Sequence, residues 1–87
     1  MPSIRIPSAL RKFTGGASDV DVTATTVRAA IAALDGAHPG VGAKILDGGA
    51  IKPFIRIFVG AEQAELDTSV AAKDEISIIP AIAGGHA

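Results

Sequence analysis

Apolar and polar positions alternate near both ends of the chain and fall at helical spacing between them. Ile4 and Ile6 flank Arg5 with a period of two up to Pro7, which predicts a first strand over Ser3 to Ile6 that loses its ladder at the proline. Leu10-Arg11-Lys12-Phe13-Thr14 then leads into the turn-forming cluster Gly15-Gly16-Ala17-Ser18-Asp19. Val20-Asp21-Val22-Thr23 alternates again, as the second strand of a hairpin. Val27, Ala30, Ile31 and Leu34 stand at i, i+3, i+4 and i+7 and define one apolar stripe, so a helix is expected from Thr26 to about Asp35. Thr25 is the expected N-cap, Gly36 the left-handed stop, and Pro39 a second stop signal. Arg28 in the first turn opposes the helix dipole.

The stretch from His38 to Leu46 reads two ways. Val41, Ile45 and Leu46 fit one face of a single helical turn, whereas Gly40 and Gly42 argue against it. Asp47-Gly48-Gly49 is a turn, and Phe54 to Val59 has the strongest strand character, every residue except Arg56 being β-branched or aromatic. This segment is expected as a central strand. Gly60 ends it, Ala64-Glu65-Leu66 suggests a brief edge piece, and Asp67-Thr68-Ser69-Val70 has turn chemistry. Lys73-Asp74-Glu75 forms a charged turn before a last strand, Ile76 to Pro80. A hairpin, a helical crossover and returning strands predict an α+β chain of the β-grasp class, a mixed sheet of four to five strands with one main helix on one face. The expected organisation is one domain over residues 1–80 and a flexible tail over residues 81–87.

Composition narrows the chemistry. With 87 residues the chain buries roughly 60–65% of its unfolded surface, leaving no room for a second domain or a deep private cavity. The absence of cysteine excludes disulfides, thiolate metal sites, the iron–sulfur variant of this fold and a cysteine nucleophile. Net charge −1 and three phenylalanines without tyrosine or tryptophan argue against nucleic acid as a partner. No apolar run approaches the roughly 20 residues of a membrane span, and Met1-Pro2-Ser3-Ile4-Arg5 lacks the form of a secretory leader; a soluble, cytoplasmic protein without a membrane partner is expected. Gly15-Gly16 and Gly48-Gly49 lack phosphate-loop spacing, and Asp19 with Asp21, or Asp74 with Glu75, reads as a solvated face. His38 and His86 are too few to make a zinc site, so no metal is expected.

The ending Ile78-Ile79-Pro80-Ala81-Ile82-Ala83-Gly84-Gly85-His86-Ala87 is different in kind. Paired glycines add nothing to a core and lose the most entropy when ordered, yet their slenderness suits entry into a narrow channel. With Lys73-Asp74-Glu75-Ile76 before it, this ending resembles that of the ubiquitin-like sulfur carriers, the family of the molybdopterin synthase small subunit and the thiamine sulfur carrier. Leu10-Arg11-Lys12-Phe13-Thr14-Gly15, Thr26-Val27 and Ile57-Phe58-Val59-Gly60 extend the resemblance over almost the whole chain.

The resemblance implies a protein cosubstrate, not an enzyme. Gly85 would be the site of adenylation and of the thiocarboxylate, and Ala83 and Gly84 would complete the reactive tail. No cofactor would be bound; ATP and a sulfide source would be used by partner enzymes. Here His86 and Ala87 follow the glycines, so Gly85 is held in a peptide bond. That departure is similar to carriers trimmed after Gly-Gly by a JAMM-type zinc metalloprotease, with Gly85, His86 and Ala87 as the processing site. The implied partners are that protease, an adenylating enzyme related to ubiquitin-activating enzymes, and an acceptor synthase, serving cysteine or homocysteine/methionine formation. The resemblance leaves room for a permanent molybdopterin synthase subunit or a modifier conjugated through Gly85, and a binding module with an inert tail is a further reading. Phe54, Phe58, Ile79, Pro80 and Ile82 are the expected partner-docking residues, if the register turns Phe54 and Phe58 outward.

Overall fold

The computed structural model describes residues 1–80 of the chain. Five strands form one mixed sheet: β1 (Ser3–Arg5), β2 (Asp19–Asp21), β5 (Ile55–Val59), β6 (Glu62–Ala64) and β7 (Glu75–Pro80), ordered β2-β1-β7-β5-β6. Helix α1 (Val27–Ala37) packs its stripe of Val27, Ala30, Ile31 and Leu34 against the sheet, and all four are buried. A four-residue helix α2 (Gly42–Ile45) and a small ribbon of β3 (Leu46–Asp47) and β4 (Ala50–Ile51) complete the chain. This is the expected β-grasp arrangement, with a mixed sheet and one main helix on it.

The middle strand is β7. It pairs in parallel with β1, Ile4 beside Ile76, and antiparallel with β5, Ile57 beside Ile78. The segment expected at the centre, β5, stands one place to the side, between β7 and the edge strand β6. Ile4, Ile76, Ile78 and Ile57 line the inner face, where they meet α1. The strand that ends at Pro80 therefore hydrogen-bonds on both edges and buries alternate side chains. Its last residue stands opposite Ile55.

Local departures from expectation have physical causes. The helix is capped by Thr26, not Thr25: the Thr26 Oγ1 accepts from the Ala29 amide at 3.1 Å, the reach an N-cap hydroxyl has to the third helical residue. The Thr25 carbonyl instead accepts from the Val70 amide. Gly36 is not the stop, because α1 runs on to Ala37 and closes with the His38 amide donating to the Leu34 carbonyl at 2.8 Å. Reversal falls at Gly40, whose φ of 102° is open to glycine. Asp35 fixes this reversal, its Oδ1 accepting from the amides of Gly40 at 3.1 Å and Gly42 at 2.9 Å. A Cβ at Gly42 would stand 3.0 Å from the Asp35 carboxylate, so a side chain there would press on the group that fixes the reversal. Of the two readings of this stretch, the helical turn holds, with Val41 and Ile45 fully buried.

Residues Ser8–Phe13 form a 3-10 helix that the apolar pattern did not announce. Leu10 is its buried residue, its amide bonds the Pro7 carbonyl, and the Arg11 Nε donates to the Ile6 carbonyl. Edge strand β6 begins at Glu62, earlier than the predicted Ala64-Glu65-Leu66, because the turn at Gly60-Ala61 lets Val59 face Glu62 directly. Glu75 opens β7 where a turn residue was expected. Arg28 escapes its unfavourable place at the helix start by pairing with Asp67 at 3.1 Å. Among the described residues no helix is long and apolar enough to cross a membrane.

Two substitutions test these supports. Asp35→Ala removes two charge-assisted hydrogen bonds and is expected to lower stability by about 1.5–3 kcal/mol in urea unfolding. Thr26→Ala is expected to cost about 1 kcal/mol in the same assay, while Thr25→Ala leaves the cap intact and changes little.

Candidate functional site

The register decides which face of β5 is turned outward. Ile55 and Ile57 point to the core, at 4% and 1% exposure, so Phe54, Arg56 and Phe58 belong to the opposite, outer surface. On β7 the same alternation buries Ile76 and Ile78 and turns out Glu75, Ser77 and Ile79. Phe54 and Ile79 are the large apolar side chains left most open on this surface, at 52% and 49% exposure, and Phe58 is half-buried. Ile79 stands opposite Arg56 and Phe58 opposite Ser77.

The outer surface thus divides along the strands. Its β2–β1 side is polar, with Asp19, Asp21, Ser3 and Arg5, and Arg5 lies 3.8 Å from Glu75 in an exposed ion pair. Its β7–β5 side carries Phe54, Phe58, Ile79 and the half-buried Pro80, with Arg56 among them. Four of the five expected docking residues come together here, at the end of β7 that leads into the tail. Ile82, the fifth, lies outside the described residues, as do Ala83, Gly84, Gly85, His86 and Ala87.

Arg56 was passed over in the sequence because a single charge in an apolar strand reads as ordinary alternation. Only its pairing with Ile79 makes it part of the apolar surface, since its guanidinium can donate to a partner while its stem covers apolar neighbours. Lys52 was missed for a similar reason. It precedes β5, yet its ammonium stands 5.9 Å from the Phe54 ring centroid. What the surface offers is recognition: an apolar centre, a cation within it, and a chain that leaves from its rim. An apolar patch with polar edges is the usual anatomy of a protein interface.

Comparison with known proteins agrees with this geometry. The sulfur carrier protein CysO of Mycobacterium tuberculosis is 32% identical over 90 residues, covering 95% of this chain and 97% of that protein. Small archaeal modifier protein 1 of Haloferax volcanii is 38% identical over 68 residues, covering 77% of each chain. In the crystal structure of the Amycolatopsis orientalis BexX/CysO complex, a chain 30% identical to this one superposes with a TM-score of 0.93, covering 98% of this chain and 100% of that one. These relatives are carrier or modifier proteins by name, in line with the reading of a protein cosubstrate rather than an enzyme. The ThiS family model matches residues 4–85, nearly the whole sequence, and the chain belongs to that family.

Proposed function

We propose that this protein is a sulfur carrier whose working atom is the carboxyl carbon of Gly85. The observation that carries the reading is the family match, which ends at residue 85 although His86 and Ala87 follow it. The part of the chain shared with the family stops at the second glycine. Hydrolysis of the Gly85–His86 peptide bond, by a JAMM-type zinc metalloprotease, would leave the carboxylate that activation requires.

The chemistry then belongs to partners. An adenylating enzyme related to ubiquitin-activating enzymes joins the Gly85 carboxylate to the α-phosphate of ATP, releasing pyrophosphate. Sulfide attacks the acyl carbon, AMP leaves, and the thiocarboxylate that results donates its sulfur to an acceptor. An acceptor synthase forming cysteine or homocysteine is the proposed recipient, and the sulfur-carrier relative named CysO supports the first. Glycine at both tail positions leaves no Cβ beside the reacting carbon, which lets nucleotide and nucleophile approach from either side. The apolar outer surface near Pro80 is the proposed docking site, with Phe54, Phe58 and Ile79 as its anchors.

Relatedness to a small archaeal modifier protein favours a second reading, in which the activated Gly85 forms isopeptide bonds with lysines. Both begin with adenylation, and sulfide separates them.

Intact mass spectrometry tests the carrier reading. The chain ending at Gly85, incubated with its adenylating enzyme, ATP and sulfide, is expected to gain the mass difference of one oxygen replaced by sulfur. The unprocessed chain under the same conditions is expected to gain nothing. Lysine conjugates that form without sulfide, in place of the thiocarboxylate, would decide for the modifier. Ile79→Ser on the half-exposed outer position is expected to raise the KM for the carrier in adenylation about tenfold while leaving Tm nearly unchanged.

A further inference from the structure

The basic side chains are not spread evenly, although the net charge is only −1. A chain of contacts leads from the end of β7 to four of the eight. Pro80 pairs with Ile55, the Ile55 amide bonds the Lys52 carbonyl at 3.0 Å, and the Lys52 amide bonds the Ile45 carbonyl at 3.0 Å. Lys44 precedes Ile45 and reaches across to the half-buried Phe13, its ammonium 5.1 Å from the ring centroid. Lys12 approaches the same ring at 5.3 Å. Arg56, opposite Ile79, closes the series on the outer surface.

Lys12, Lys44, Lys52 and Arg56 thus form a collar round the end of the sheet that leads into the tail, and among the described residues none of the four makes a salt bridge. Acids do stand on or against these elements: Asp47 on the β3–β4 ribbon, Asp19 on edge strand β2 opposite Arg5, and Asp35 of α1, whose carboxylate is occupied by the Gly40 and Gly42 amides. At the other end of the sheet the balance reverses. Asp21, Glu62, Asp74 and Glu75 gather where β7 begins, with Lys73 as the lysine beside them.

Two ammonium groups on one ring lie no more than about 10 Å apart, about a Debye length at 0.1 M ionic strength, so each raises the potential felt by the other. The arrangement favours an anion and gains from burial against one, because a cation over an aromatic face strengthens as water is removed.

We propose that this collar is a second part of the docking surface, carried round the edge of the domain to Phe13, and that it engages an acidic rim beside the channel of the adenylating enzyme that receives the tail. The inference rests on the carrier reading above. An acidic rim would attract the end of the domain that leads into Gly84 and Gly85 and repel the acidic end, so the charges orient the encounter before the apolar surface makes contact.

Adenylation kinetics of the chain ending at Gly85 test this, read as KM for the carrier against salt. Lys12→Glu/Lys44→Glu/Lys52→Glu is expected to raise KM at least about tenfold at low salt, to leave kcat within about twofold, and to flatten the salt dependence. The double variant Lys12→Glu/Lys44→Glu, confined to two exposed positions, is expected to show the same direction and serves if the half-buried Lys52 disturbs folding. Lys12→Arg/Lys44→Arg should restore the wild-type KM, and Lys73→Glu at the acidic end should leave it unchanged. An unchanged KM in the double and triple variants overturns the proposal, as does an equal effect of Lys73→Glu. Salt-sensitive binding of the wild type to duplex DNA with unchanged adenylation KM in the variants would reassign the collar to nucleic acid and overturn it too. If the wild-type chain is never adenylated, the carrier reading fails and the collar inference falls with it; if it is adenylated equally in every variant, only the collar inference fails.

Discussion

The double pairing of β7 is the constraint on which the rest of the molecule depends. This strand lies between β1 and β5, alternates Ile76 and Ile78 into the core, and carries Ile79 to the outside. Its position determines which side of β5 can be apolar to solvent and which must meet the helix. Strands hydrogen-bonded on both edges are held more firmly than edge strands, whose unpaired amides and carbonyls remain open to water and to other chains. The segment that leads to Gly84 and Gly85 is thereby anchored in the middle of the sheet.

That anchoring sets apart two kinds of chemistry. The domain is built from aliphatic packing and backbone hydrogen bonds, with Thr14 as its buried polar residue among those described. Its surface supplies apolar contacts and charge. The reaction proposed for Gly85 uses a backbone carbon, nucleotide and sulfide, all handled in a partner's cavity. On that proposal a chain without cysteine can take part in sulfur transfer, since the atom that would hold the sulfur is encoded by position and by the lack of a side chain.

The sequence showed most of the elements because their cues are local. The i, i+3, i+4, i+7 stripe of α1 and the alternation in β5 and β7 each reflect one burial pattern repeated over several residues. Less legible were features that depend on a distant partner or a single bond. Thr25 and Thr26 have the same cap chemistry, and only the loop through Val70 decides between them. Gly36 has the chemistry of a stop, but Asp35 places the reversal at Gly40. Leu10 is one apolar residue, too little for a period, so the 3-10 helix had no signature. At the candidate site the tail motif and the apolar residues were legible, but the face they share needed the register of β5 against β7. Phe13 between Lys12 and Lys44 needed the approach of α2 to the loop after β1, which no spacing encodes.

The parallel pairing of β1 with β7 has a consequence for how the protein is made. Ile4 and Ile76 are neighbours in the sheet but are synthesised at nearly opposite ends of the described chain. Contacts so far apart in sequence close late and slow folding, because the intervening chain must first be ordered. On the ribosome the first strands have no centre to pair with until β7 has emerged. A nascent chain halted before that point has neither a completed sheet nor the outer surface proposed for docking, so on that proposal recognition would be tied to completion of the very segment that leads into the tail.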